Sequence, residues 1–359
     1  MGRSVAVVCP KGGVGKTTVA VNLASALADK GYRCLLVGVD PQCGLISSFG
    51  RDRFDVDNGL LDLFDPDGDI DAAIQPSGID NLDFITSNVW SREEEHELLQ
   101  GAAAHPERVA ALIARQRERY DYIFLDCPPN LGVLTGAALE AADECLVPLQ
   151  AEELPYRALP RLFDGLDEMR RQGRHVPELM GIVLNQVDPR TRLAGDVTSR
   201  VREEYEGLVF DTAIPRSVRL AEVAQRGRPV NHFNRAGTAS AAFASLAEEV
   251  LAAALKRRAA AASNAGSGEH ETLRRQAAES RAAESVGEPV QAKSPWAAAV
   301  GGDDFGFDGG FRDSDDHDVD ADDRFVSFDE MKDDDDDGGS RHRPSLDDYD
   351  GSSEDERYH

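Results

Sequence analysis

Val5-Ala6-Val7-Val8-Cys9-Pro10-Lys11-Gly12-Gly13-Val14-Gly15-Lys16-Thr17-Thr18-Val19-Ala20-Val21-Asn22-Leu23-Ala24 reads as strand, glycine loop and helix in immediate succession. Gly12, Gly13 and Gly15 let successive backbone N–H groups turn inward around an anion. The loop ends at a helix N-terminus, where unpaired N–H groups and the helix dipole favour phosphate. In such a loop Lys16 reaches the β- and γ-phosphates of a nucleotide, and the Thr17 hydroxyl ligates Mg²⁺. The alternative is a glycine turn that merely links a strand to a helix. Gly15-Lys16-Thr17, placed with a strand before and a helix after, argues against it.

A second lysine, Lys11, stands directly before the double glycine. A cation at the mouth of the loop lies too early to hold its own γ-phosphate from behind, but it can cross to a nucleotide on a facing subunit. Lys11-Gly12-Gly13-Val14-Gly15-Lys16-Thr17-Thr18 resembles the deviant Walker A box of the ParA/MinD ATPases. That resemblance implies ATP and Mg²⁺ as cofactors, nucleotide contacts along Lys11 to Thr18, and an ATP-sandwich homodimer in which Lys11 acts in trans.

Two aspartates follow at strand ends. Arg33 to Val39 is a near-continuous apolar strand of the kind buried on both faces of a parallel sheet, and it runs into Asp40-Pro41-Gln42. A carboxylate there faces the crevice where open α/β sheets bind ligands, so Asp40 is placed to orient the attacking water; capping the next helix is the bland reading. Asp40 matches the second aspartate of the family's Asp-x-Asp-Pro-Gln segment, whereas Gly38 replaces the first. Tyr120 to Asp126 has the form of a Walker B strand whose carboxylate holds Mg²⁺ through water, and Cys127-Pro128-Pro129 after it makes a stiff switch turn.

The remaining chain alternates strands and helices: short helices at 58–64 and 69–74, a strand at 82–85, two helices in 91–119, a helix at 133–141, strands at 144–149 and 180–185, a helix at 155–172, a short strand at 208–210 and a closing helix at 240–258. This predicts an α/β fold, a P-loop NTPase with a mostly parallel sheet and helices on both faces. By resemblance Asn185 and the backbone at Pro215 contact the adenine; a turn role before Asp188-Pro189 is the alternative for Asn185.

The net charge of −27 is uneven. Residues 261–359 hold 28 Asp and Glu against 10 Lys and Arg, leaving 38 against 29 in residues 1–260. The expected organisation is therefore an ATPase domain over 1–260 and an acidic, Ala/Gly/Asp-rich tail over 261–359 too poor in apolar surface to fold. Between Asn185 and Ala236 the sign reverses, with nine arginines against seven acids, an electrostatic footprint for nucleic-acid phosphate. Arg190, Arg216 and Arg219 fall in segments resembling those that supply non-specific DNA-binding arginines in partition ATPases; solvated helix faces are the alternative. Six lysines against 33 arginines, with abundant Asp and Ala, suggest a halophile, although a GC-rich genome also gives the Arg and Ala bias.

No run of 18 apolar residues occurs, and the closing helix lacks the apolar bulk of the MinD-type membrane anchor, so a cytoplasmic, nucleoid-associated protein without membrane contact is expected. Cys9, Cys34, Cys43, Cys127 and Cys145 form no C-x-x-C pair and read as buried small hydrophobes. The expected function is a ParA/Soj-type partition ATPase that dimerises with ATP, binds DNA non-specifically and is released by slow hydrolysis, with a ParB-like centromere-binding partner. The competitors are a MinD-like spatial regulator, an ATP-dependent amide ligase, for which no second catalytic constellation is visible, and an iron–sulfur carrier, which the cysteine spacing disfavours.

Overall fold

The structure, a computed structural model, describes residues 2–65 and 68–264. Apart from its first few residues, the expected acidic tail lies outside the described residues. Strand β1 (Arg3–Val7) leads through the glycine loop to α1 (Lys16–Ala28), β2 (Cys34–Gly38) and the short α2 (Gly44–Ser48). A 3₁₀ turn at Leu60–Phe64 precedes β3 (Gln75–Ile79), β4 (Leu82–Ile85), α3 (Arg92–Ala104), α4 (Glu107–Gln116), β5 (Tyr122–Asp126), α5 (Val133–Ala141) and β6 (Glu144–Gln150). Then come α6 (Glu153–Tyr156), α7 (Leu159–Arg171), β7 (Glu178–Val187), α8 (Arg192–Glu204), β8 (Val209–Pro215), α9 (Val218–Ala221), α10 (Val223–Arg226), α11 (Val230–Phe233) and α12 (Thr238–Asn264).

The strands form one sheet in the order β3-β4-β2-β5-β1-β6-β7-β8, parallel except for the antiparallel edge pair β3 and β4. Successive side chains of a strand point to opposite faces, so two cores result. Leu35, Val37, Ile123 and Leu125 pack with Leu98, Leu112 and Leu162 of α3, α4 and α7. Cys34, Leu36, Tyr122 and Phe124 pack with Leu23 and Leu27 of α1 and Phe243 and Leu246 of α12. Both faces are covered, which is why the central strands carry no polar alternation.

Several elements depart from the sequence expectation. Residues 70–73 form turns, not a helix. The helix expected over 155–172 is split into α6 and α7, with Pro160 in the first turn of α7, where a residue without an N–H loses no helical hydrogen bond. Strand β3, Gln75-Pro76-Ser77-Gly78-Ile79, reads locally as a turn; as an edge strand it tolerates proline. Helix α8 buries Ala194, Val197 and Val201 beneath a highly charged surface. Residues Thr238–Arg257 of α12 are long and apolar enough to cross a membrane, with mean hydropathy 1.3. Phe243, Leu246, Ala247 and Val250 are nevertheless buried, and α12 packs that face against α1 and β8.

Strand register gathers the site. Asp126, the last residue of β5, lies level with Val7 of β1 and Gly38 of β2. The glycine loop, Asp126 and Asp40 therefore meet at the carboxyl edge of the sheet.

Candidate nucleotide site at the carboxyl edge of the sheet

The loop after β1 has the left-handed turns its glycines permit, with φ of 78° at Gly13 and 87° at Gly15. Gly15 is also the N-cap of α1. A Cβ there would lie 2.4 Å from Asn185 Nδ2, so the position excludes a side chain on two grounds. Lys16 is buried, and its Nζ donates to the carbonyl of Lys11 at 3.3 Å. Lys11 itself is exposed. Two lysines in one loop thus occupy opposite environments, one folded back into the loop and one at its mouth.

Thr17 Oγ1 donates to Asp126 Oδ2 at 2.7 Å. Asp126 is 1% exposed, and its other oxygen, Oδ1, has no hydrogen-bond partner. Burial pushes this carboxyl up to about 7; the Thr17 hydrogen bond and Lys16 oppose the rise, and nearby Asp40 adds to it. A hydroxyl beside a buried carboxylate with a spare oxygen is a hard oxygen donor set that fits Mg²⁺.

Asp40 is partly exposed at the lip of the crevice. The N–H groups of Val39 and Asp40 donate to the Asp126 carbonyl at 3.0 and 3.1 Å, tying the two strand ends together. Asp40 Oδ1 accepts from the N–H of Gln42 at 3.0 Å, and its carbonyl accepts from Ser87 Oγ at 2.9 Å. Beyond Asp40 opens a cavity of about 830 Å³ bounded by Gln42, His96, Pro129, Asn130 and Leu134, so the carboxylate borders both the loop after β5 and open space. A Cβ at Gly38 would sit 3.2 Å from Leu45 Cδ1 and 3.3 Å from the Ile85 carbonyl, so a carboxylate is not readily accommodated there.

On the other side of the loop Asn185 ends the buried part of β7. Its Nδ2 donates to the Val14 carbonyl at 2.7 Å, while its Oδ1, also buried, has no partner. Asn185 and Pro215 border a cavity of about 510 Å³ with Thr18, Gln186 and Leu220. Arg190 and Arg216 stand at the rim of this same cavity and not on a separate face. Arg190 forms a two-point pair with Asp188 at 3.0 Å, and Arg219 binds Glu222 at 3.0 and 3.1 Å. All five cysteines are free and buried, and the described residues hold no His/Cys/Asp/Glu cluster that fits a metal.

Gln186 and Ser87 are site residues that sequence reading missed. The Gln186 amide donates to the Gly13 carbonyl at 2.9 Å from a backbone with φ of 54°. Neither a glutamine after a strand nor a serine in a loop carries a local signal.

The profile of a family described as an AAA domain matches residues 2–179. The sporulation initiation inhibitor protein Soj of Bacillus subtilis is 36% identical over 255 residues, which are 70% of this chain and 99% of that protein. The chromosome partitioning protein ParA of Caulobacter vibrioides is 35% identical over 261 residues, 72% of this chain and 98% of that protein. The chain belongs to the ParA/MinD superfamily. A solved structure of cobyrinic acid a,c-diamide synthase from Mycobacterium smegmatis, with a bound ATP analogue and magnesium, is similar at TM-score 0.58 and 27% identity, covering 70% of this chain and 95% of its own.

Proposed function

We propose that this chain is a partition-type ATPase whose ATPase domain spans residues 1–260 and whose acidic tail spans 261–359. It binds ATP along Lys11 to Thr18, with the base against Asn185 and the backbone at Pro215. Thr17 and, through water, Asp126 would hold Mg²⁺, which would neutralise charge on the phosphates. The spare Asn185 acceptor suits the exocyclic amine of adenine. Asp40 orients a water in line with the γ-phosphorus; the water oxygen bonds to phosphorus as the bond to the bridging oxygen breaks, its proton passes to the phosphate, and ADP and phosphate leave. Lys16 and the partner subunit's Lys11 stabilise the charge that develops.

The observation that carries this reading is the contrast between buried Lys16 and exposed Lys11 in one loop. An ATP-closed homodimer gives the exposed lysine a task. That dimer binds DNA non-specifically through Arg190, Arg216 and Arg219, and slow hydrolysis, stimulated by a ParB-like partner, releases it from the nucleoid. Light scattering and DNA co-sedimentation with and without Mg-ATP test the cycle. Dimerisation and DNA retention that both require ATP are expected; a nucleotide-independent monomer that ignores DNA would refute it.

The likeness to a diamide synthase favours a second reading, an ATP-dependent ligase. The partition reading stands above it because relatives of that class match at 35–36% identity over nearly their whole length. ATP turnover without any amide-forming substrate separates the two. The MinD-like membrane alternative loses support because the apolar face of α12 is consumed in the core.

A further inference from the structure

Two consecutive residues near the end of β7, Asn185 and Gln186, donate their side-chain amides to two consecutive carbonyls of the glycine loop: Asn185 to Val14 at 2.7 Å and Gln186 to Gly13 at 2.9 Å. In a trans peptide the C=O of one residue and the N–H of the next point in opposite directions, and the described chain contains no cis peptide. Fixing the Gly13 carbonyl on the β7 side therefore fixes the Val14 N–H on the opposite side of the loop. Fixing the Val14 carbonyl does the same for the Gly15 N–H. These are the N–H groups an anion-binding loop must turn inward.

Gln186 holds this position at a conformational cost. Its φ of 54° lies in the left-handed region, where a non-glycine residue without the local side-chain hydrogen bonds of Asn or Asp is disfavoured. Strain of this kind persists where surrounding contacts over-determine it, and here the contact is the loop carbonyl. From β7, 171 and 173 residues away in sequence, two amides thus set the orientation of the loop's peptide planes.

We infer that Gln186, together with the Nδ2 group of Asn185, is a positioning residue that pre-orients the Val14 and Gly15 N–H groups for phosphate before nucleotide arrives. Gln186 touches no phosphate itself; it acts through the peptide planes of Gly13 and Val14. The inference deepens the nucleotide-binding reading and rests on it.

The experiment measures the Mg-ATP dissociation constant by calorimetry, and the thermal midpoint of the nucleotide-free protein, for the wild type, Gln186→Gly and Gln186→Glu. Gln186→Gly removes the amide and relieves the positive φ. Its affinity should fall about tenfold, the worth of one hydrogen bond, while the nucleotide-free midpoint stays level or rises. Gln186→Glu keeps the size but sets a carboxylate against the Gly13 carbonyl, so it should lose more, on the order of 30-fold or above. Wild-type affinity in both variants would overturn the inference. So would a loss of affinity accompanied in both by a matching drop in midpoint, which marks a merely structural residue. A wild-type protein that fails to bind Mg-ATP refutes the nucleotide reading itself, an outcome distinct from either.

Discussion

Lys11 and Lys16 stand five residues apart in different surroundings, one exposed and one buried. Lys16→Ala should abolish nucleotide binding, whereas Lys11→Ala should keep binding within about threefold and lose turnover and the ATP-bound dimer; equal losses of affinity would contradict the trans role. On the proposed cycle Asp40→Ala should trap the ATP-bound dimer on DNA, since it would remove the carboxylate assigned to the water but no phosphate ligand. Wild-type turnover in that variant would end the assignment. Asp126 makes a pH prediction. Its carboxyl is raised from 3.8 to about 7, so the folded state holds a proton that the unfolded chain has already released. The nucleotide-free protein should therefore lose stability as pH rises from about 4 through 7, by roughly 4 kcal/mol in all. Asp126→Asn should lack this slope and be the more stable protein at pH 8, while losing Mg²⁺-dependent nucleotide affinity. Because Mg²⁺ requires the ionised carboxylate, wild-type affinity for Mg-ATP should climb between pH 6 and 8. Melting curves and calorimetry across that range check both signs.

Helix α12 sets how much of the domain's stability rests on one element. Phe243 is fully buried in the core that α12 shares with α1 and the sheet. Phe243→Ala should cost about 3–5 kcal/mol and leave the carboxyl-edge site chemically intact. Denaturant unfolding should show that loss with an unchanged slope, and activity below the transition should persist. A loss under about 1 kcal/mol would mean that α12 is only loosely docked, and would revive a membrane role for its apolar face. The same element explains a limit of sequence reading. Length and hydropathy allow α12 to cross a membrane, and only the tertiary structure shows that one face of it packs against α1 and β8. Strand β3 shows the converse, since Pro76 and Gly78 speak for a turn and an edge place in the sheet overrides them.

For the molecule as a whole, charge is the governing quantity. If residues 261–359, of net charge −18, compete with DNA for Arg190 and Arg219, removing them will show it in a salt-dependent way. Deleting residues 261–359 should tighten DNA binding by the ATP-bound form at low salt, with the gain fading as the Debye length falls to ~3 Å near molar salt. Unchanged affinity at both salts, with poorer solubility, would leave the tail a purely solubilising role. The order of parts was legible in the sequence because each is written locally: a glycine loop between a strand and a helix, Asp40 and Asp126 closing apolar strands, and an alternation that predicts a parallel sheet. What those parts do to one another was not. Thr17 meets Asp126 across 109 residues because parallel pairing brings Val7, Gly38 and Asp126 level. The rise of the Asp126 carboxyl to about 7 follows from burial, which no motif encodes. Asn185 was anticipated at the base but also grips the loop, and Gln186 gave no signal, since its left-handed backbone exists only where β7 ends beside Gly13. Sequence determines which groups a strand end can offer; register and packing decide which of them come within hydrogen-bond distance, because those distances depend on residues far apart in the chain.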